Sequence, residues 1–433
     1  MFVTFTCKTE LAMILCKIPQ GRAMVKENLK NKDLCKIRTI TSFLTLTSDK
    51  SQWEETICKA ASFGGALAKE FNAQGYHVQS IRIVTNAFGE YLDTSSYHAI
   101  MKDMHILSEV LKSPLMPAIR IRFAIGEAKT KEEIAMLPEL IKAYGDICNA
   151  CVNVDIDELS VVDRDLTLSC AEAVVEIGKI TPRGEGNFNF TINYNCKPHI
   201  PYFPASYHNS HDENCFALGL ETPDLLVEAL KSLKEEKNHN LKMQKSYAIM
   251  RDSLQYHINT ILGITHAYEH PYKTKFAGID TSAAPSKNCA SMVDVYKLLG
   301  VPYFGASGTL EASAILTKVF KAQKGCDLIG FSGLMLAVVE DEGLADATTR
   351  NEFDIRALLQ YSAVCGIGLD TVPIEGDTSA QKIADICADT GTLAFRLNKP
   401  LTVRLFPVPN LKEGDMTQFE SDDLCNSLVL RVP

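Results

Sequence analysis

No window of this 433-residue sequence holds the roughly 20 consecutive apolar residues that a membrane-crossing helix needs, so no membrane partner is expected. A basic excess is also missing. The 44 Lys and Arg stand against 53 Asp and Glu, a formal net charge of −9, which argues against a nucleic-acid partner. The first 20 residues lack a secretory core, because LAMILC is a short apolar run with Lys8 and Glu10 just before it. Residues 1–35 therefore read as a variable N-terminal extension, and a cytoplasmic location is expected. No Gly/Ser linker, internal repeat or low-complexity tract divides the remainder. A prior of about 150 residues per domain would give three domains, but the unbroken pattern over 36–433 reads as one.

Cysteine, in contrast, is plentiful. Its 14 copies are scattered through a chain too long to need a disulfide framework. Cys148 and Cys151 form a C-x-x-C pair, but no second such pair or H-x-x-x-H completes a zinc site. The pair reads as small buried residues beside a strand.

Extended apolar runs predict strands at 36–46, 80–86, 118–126, 147–155, 187–196, 275–280, 326–339, 368–374 and 401–408. Helical periodicity fills 53–71, 97–113, 131–145, 290–300, 308–324 and 379–397. This alternation predicts an α/β fold with a parallel sheet covered by helices. Residues 221–268 show only helix-period pattern and read as a helical insertion outside the sheet. Residues 193–221, rich in Pro, Tyr and His, read as a loop too long to be a mere connection.

Ligand sites in parallel α/β folds collect at the carboxyl ends of strands. Asn86 follows the second strand there, and Asp280 follows the sixth in GIDTSAAPS, with the Ser282 and Ser286 hydroxyls placed to bind an anion. Asp280 reads either as an acid/base group or as a turn acid. Glu340, Asp341 and Glu342 crowd three carboxylates together; Glu342 with Asp280 would suit a divalent cation such as Mg²⁺, against the plainer reading of a solvated turn. Asp370 supplies a further carboxylate and Arg404 a cation. His208, three residues before His211, reads as a catalytic or binding residue of the long loop, and His211 as surface. Cys365, between small residues in AVCGIG, reads first as a packed cysteine and second as a reactive thiol.

Several of these segments stand in a distinctive order: YFPASYH (202–208), FALGLE (216–221), FAGIDTSAAPS (276–286), FGASGT (304–309), EDEGL (340–344), SAVCGIGLDTVPIEGD (362–377) and TVRLFPVPNLKEGDMT (402–417). From about Lys36 to the C-terminus they resemble the family called domain of unknown function 711. The resemblance implies a single ten-stranded α/β barrel like those of pyruvate formate-lyase and anaerobic ribonucleotide reductase. Those relatives use a glycyl radical near the C-terminus. Here no R-V-x-G-[YF] signature occurs, and Gly414 sits in KEGD, so a self-contained glycyl-radical enzyme is not expected.

The leading expectation is an enzyme acting on a small polar or anionic metabolite inside the barrel. Asp280, Glu342, Asp370 and His208 would supply acid/base or metal-assisted chemistry, and Asn86, Ser282, Ser286 and Arg404 would bind the substrate. Lyase, hydrolase and isomerase chemistry all fit. One alternative is a small-molecule sensor; another is a radical-type enzyme using Cys365. The insertion offers a face for a homo-oligomer.

Overall fold

A computed structural model describes residues 25–272 and 274–433. Among them nine strands form one sheet: β1 (Lys36–Leu44), β2 (Ile81–Thr85), β3 (Ile121–Glu127), β4 (Asn149–Val154), β5 (Phe190–Tyr194), β6 (Cys215–Glu221), β7 (Lys275–Asp280), β8 (Gly368–Glu375) and β9 (Leu401–Val408). Their order is β7-β6-β1-β2-β3-β4-β5-β9-β8. From β1 to β5 neighbours pair in parallel. The direction then reverses twice, because β6 pairs antiparallel with β1 and β9 antiparallel with β5. β7 and β8 follow β6 and β9 in parallel. The expected parallel sheet is thus a mixed one, and carboxyl ends of strands lie at both of its ends.

Residue alternation separates an outer from an inner face. On β2, Ile81 and Ile83 join the large apolar core beneath the helices, while Val84 packs in a small second cluster with Phe43, Ala124 and Phe203. Helices over Trp53–Ala73, Tyr97–Leu111, Lys131–Tyr144 and Arg164–Ile180 cover the outer face. Thr130 and Glu133 form a reciprocal capping box at the start of the third. The fourth lies where no helix is expected from the sequence, capped by Asp163. Helices Pro223–Lys231 and His239–Tyr272 pack together between β6 and β7. Residues 27–34 form two short 3₁₀ turns docked on this pair: Leu29 is buried and its carbonyl meets His257 Nε2 at 2.9 Å. The rest of the segment read as an extension, 1–24, lies outside the described residues.

Two expectations fail for physical reasons. Residues 326–339 are not a strand. They touch β7 through Ile279 and Leu328 and β8 through Ala337 and Asp370, leaving the sheet open along a seam that this segment spans. Gly330 and Ser332 adopt positive φ (59° and 38°), which breaks extended chain. The 193–221 segment is not all loop, since its end is β6. Before β6 the chain dips into the interior and returns, with a cis Phe203–Pro204 bond in this stretch. Thr41 of β1 donates to Pro201 O at 2.8 Å, Asn193 of β5 to Ala205 O at 3.1 Å, and Tyr202 to Leu220 O of β6 at 2.8 Å. Strands on different sides therefore hold residues 200–207 as a plug. Gly219 makes room for it, since a Cβ there would stand 2.6 Å from the Tyr202 ring.

No helix among the described residues is long and apolar enough to cross a membrane.

Candidate functional site

Four strands carry an arginine next to apolar residues: Ile37-Arg38, Ile81-Arg82-Ile83, Ile121-Arg122-Phe123 and Val403-Arg404-Leu405. Alternation sends the aliphatic neighbours to the outer core and the guanidiniums inward. With Glu340, Asp370, Phe188 and Phe203 they line an inner chamber of about 50 Å³, room for little more than a water or two. A vestibule of about 270 Å³ shares Arg38, Arg82 and Arg122 with it and is rimmed by Lys36, Arg120, Ser286 and Lys287.

The chamber sets four guanidiniums against two carboxylates. Arg404 Nε lies 2.7 Å from Asp370 Oδ1, its Nη2 bonds Glu340, and its Cζ sits 5.0 Å from the Phe188 ring centroid. Burial opposes the Arg404 charge, but the two carboxylates outweigh it and raise its pKa. Arg38 pairs with Glu221 at 3.0 Å and reaches Glu340 at 3.6 Å. Burial pushes Glu340 above the usual carboxylate range, with Arg404 pulling the other way. Arg122 donates to Asp146 at 3.2 Å and Asn189 at 3.3 Å.

Arg82 differs from the other three. It is 6% exposed, has no carboxylate within 4 Å among the described residues, and its Nε has no hydrogen-bond partner. Its Cζ lies 5.0 Å from the Phe203 ring of the plug. Burial, then the Arg122 and Arg38 charges, drive its pKa well down.

Of the residues expected from sequence, Asp370 and Arg404 stand in the chamber and Ser286 on the vestibule. The acidic triplet divides. Glu340 lines the chamber; Asp341 caps helix Glu342–Thr349, accepting from Gly343 N and Leu344 N and reaching Ser291 and Met292; Glu342 is exposed on the outside. The Asp280–Glu342 metal pair is therefore not assembled.

Asp280 is fully buried and fully engaged. Oδ1 accepts from Ser282 N (3.0 Å), Ser282 Oγ (2.6 Å) and Ser332 N (3.0 Å), and Oδ2 from Phe331 N (2.7 Å). Ser282 Oγ in turn accepts from Gly333 N at 3.0 Å. These two side chains serve three successive amides of the seam in place of a neighbouring strand, so neither is free to bind a substrate or cation. Burial nevertheless raises the Asp280 pKa to about 6, against those hydrogen bonds.

Asn86 and His208 lie at the opposite end. Asn86 ties loops together, accepting from Leu46 N at 2.9 Å and donating to Glu90 at 2.8 Å. His208 is 2% exposed and its Nδ1 lies 3.3 Å from His199 Nε2, whereas His211 is exposed. Cys365 is buried in the core, its Sγ accepting from Gly368 N at 3.3 Å, and is not part of the chamber wall. Arg38, Arg82, Arg122 and His199 are the site residues that sequence reasoning missed, and of the acidic triplet it favoured Glu342 where the chamber holds Glu340. A charge at an inward position of an apolar strand is the signal that would have found Arg82 and Arg122.

The family model described as Uncharacterised ACR (DUF711) matches residues 28–421. A UPF0210 protein of Pyrobaculum arsenaticum is 30% identical over 234 residues, 52% of this chain and 50% of that protein. A UPF0210 protein of Thermoanaerobacter sp. is 26% identical over 294 residues, 66% of this chain and 63% of that one. The matched stretch thus spans about half to somewhat under two thirds of the length of these curated relatives. A solved structure, the anaerobic ribonucleotide reductase from Thermotoga maritima with citrate in the active site, aligns with a TM-score of 0.35 at 7% identity, covering 85% of this chain and 80% of that one. The chain belongs to the Uncharacterised ACR (DUF711) family, as its ordered motifs imply.

Proposed function

We propose that this chain is an enzyme that binds a small anionic metabolite in the vestibule, against the arginines it shares with the inner chamber, and uses Glu340 of that chamber as its acid–base group. Arg82 carries the reading. A buried guanidinium without a counter-ion costs several kcal/mol, a cost relieved when a carboxylate or phosphate of a ligand takes the missing partner's place. Arg122 and Arg38 face the same space and would add charge-assisted donors. The basic vestibule leads an anion inward, and its size of about 270 Å³, below that of a drug-sized pocket, suits a small metabolite. A carboxyl raised by burial exchanges protons nearer neutrality than a free one, which fits Glu340 to lyase or isomerase chemistry beside a bound anion. In this reading residues 326–339 stand in for the tenth strand of a barrel, and Cys365 takes no part. The free thiols of the described cysteines suit a reducing compartment such as the cytoplasm.

Titration of wild type, Arg82→Met and Glu340→Gln with inorganic phosphate and a panel of small mono-, di- and tricarboxylates tests this. A binding anion should stabilise the wild type against heat. Arg82→Met should be about 1–3 kcal/mol more stable without anion and unresponsive to it, because an apolar side chain replaces an unpaired charge. An Arg82→Met protein that responds like wild type removes the site assignment. Glu340→Gln should bind the same anion and turn over none of it. A second reading, a sensor, draws on the Arg404 contacts to both chamber carboxylates; it predicts an anion that is bound and recovered unchanged by the wild type.

A further inference from the structure

Beyond the plug, at the end of the sheet away from the arginine chamber, His199, His208 and Asp212 each bring one ligand atom within 4.8 Å of the other two. His199 Nε2 lies 3.3 Å from His208 Nδ1 and 3.9 Å from Asp212 Oδ2. Two imidazole nitrogens bound tetrahedrally to zinc at about 2.0–2.1 Å stand about 3.3–3.4 Å apart, so the histidine pair already sits at ligating separation. The carboxylate needs only a small side-chain turn, and Asn209 Nδ2 already orients it at 3.0 Å.

A second observation points the same way. His208 is 2% exposed and its Nε2 has no partner among the described residues, so the ring is held in the interior with its Nδ1 beside His199. Asp212, 41% exposed, keeps one side of the cluster open to solvent.

We propose that His199, His208 and Asp212 form a binding site for a divalent transition-metal cation of the zinc class, with a fourth position open to water or a small ligand. Two nitrogens and one carboxylate suit such an ion better than Mg²⁺, which prefers oxygen. The site uses none of the chamber residues, so its failure would leave the anion-binding reading untouched.

The test is calorimetric titration of the chelator-treated, tag-free full chain with Zn²⁺, and with Co²⁺ followed by its visible ligand-field bands. One equivalent should bind, with the intense bands of a four-coordinate cobalt site. His208→Gln and Asp212→Asn should each weaken binding by at least about tenfold. Because Asp212 is part-exposed, Asp212→Asn should keep the wild-type circular dichroism and so report on ligation alone. His211→Ala, altering an exposed neighbour, should bind like wild type. Absence of stoichiometric binding, wild-type affinity in Asp212→Asn, or loss of binding in His211→Ala would each overturn the assignment.

Discussion

Glu340, Asp341 and Glu342 are consecutive acids whose fates are decided by where one helix begins. Asp341 is drawn to the amide groups of the helix start, which turns Glu340 back to the chamber and leaves Glu342 to solvent. Asp280 was expected to do chemistry and instead substitutes for main chain. Its behaviour with pH follows from burial. The folded pKa, about 6, lies above the ordinary value of 3.8, so the folded state holds this proton more tightly than the unfolded state does. The stability it contributes is therefore full below the unfolded value and is lost as pH rises through about 6. A shift of about two units corresponds to ~3 kcal/mol. Urea unfolding at pH 4 and pH 7 should show the wild type losing about that much more than Asp280→Asn; equal losses would mean that hydrogen bonding, not burial, governs the group. The arginines show what a residue-level reading can reach. Arg404 stands in a distinctive motif, whereas Arg38, Arg82 and Arg122 lie near the amino ends of their strands, away from the carboxyl ends where ligand sites of parallel folds collect. In a mixed sheet, strand ends point both ways, and the inward positions of the strands themselves are the better guide.

At the level of elements, long periodic helices and apolar strands were readable: β7 and β9 run as expected, and the other predicted strands, except 326–339, lie within a few residues of their bounds. The exception, and the unseen β6, share a cause. β6 carries Gly219 because Tyr202 lies across it, and a glycine weakens the strand pattern that packing then enforces. The seam has a strand's composition but a turn's backbone. Neither effect is visible without the partner surface. Lys399 shows an element held by a residue far from it in sequence. Its Nζ donates to Ser362 O at 3.0 Å, to Ala363 O at 3.4 Å and to Cys365 O, gathering the carbonyls that follow helix Ile355–Ser362. These groups have no helical partner of their own. Lys399→Met should cost about 1–3 kcal/mol in urea unfolding, the worth of charge-assisted bonds and the carbonyls they leave behind. A cost below about 0.5 kcal/mol would show that water replaces the lysine.

The whole molecule combines a sheet that changes direction twice, an irregular seam where its edges meet, and a lumen occupied by its own chain. The seam is its least laddered part. Amides of Phe331, Ser332 and Gly333 are held by the Asp280 and Ser282 side chains, and Met335 and Leu336 amides have no hydrogen-bond acceptor among the described residues. Hydrogen exchange should be at least tenfold faster at Met335 and Leu336 than in β3 to β5, and in Asp280→Asn the fast region should extend back to Phe331. Seam amides that exchange only as slowly as the central strands would show that the sheet opens as one unit. The plug has a consequence of its own. Between the arginine chamber at one end and the histidine pair at the other stand residues 201–205, bonded to strands on different sides through the Pro201 and Ala205 carbonyls and the Tyr202 hydroxyl. A solute admitted at one end cannot pass to the other, and a cation at His208 cannot touch an anion at Arg82. Yet both ends are fastened to one short piece of backbone, with Phe203 against Arg82 and His208 a few residues further on. The molecule has two mouths and no bore, so any coupling between them would have to run through that backbone and not by diffusion.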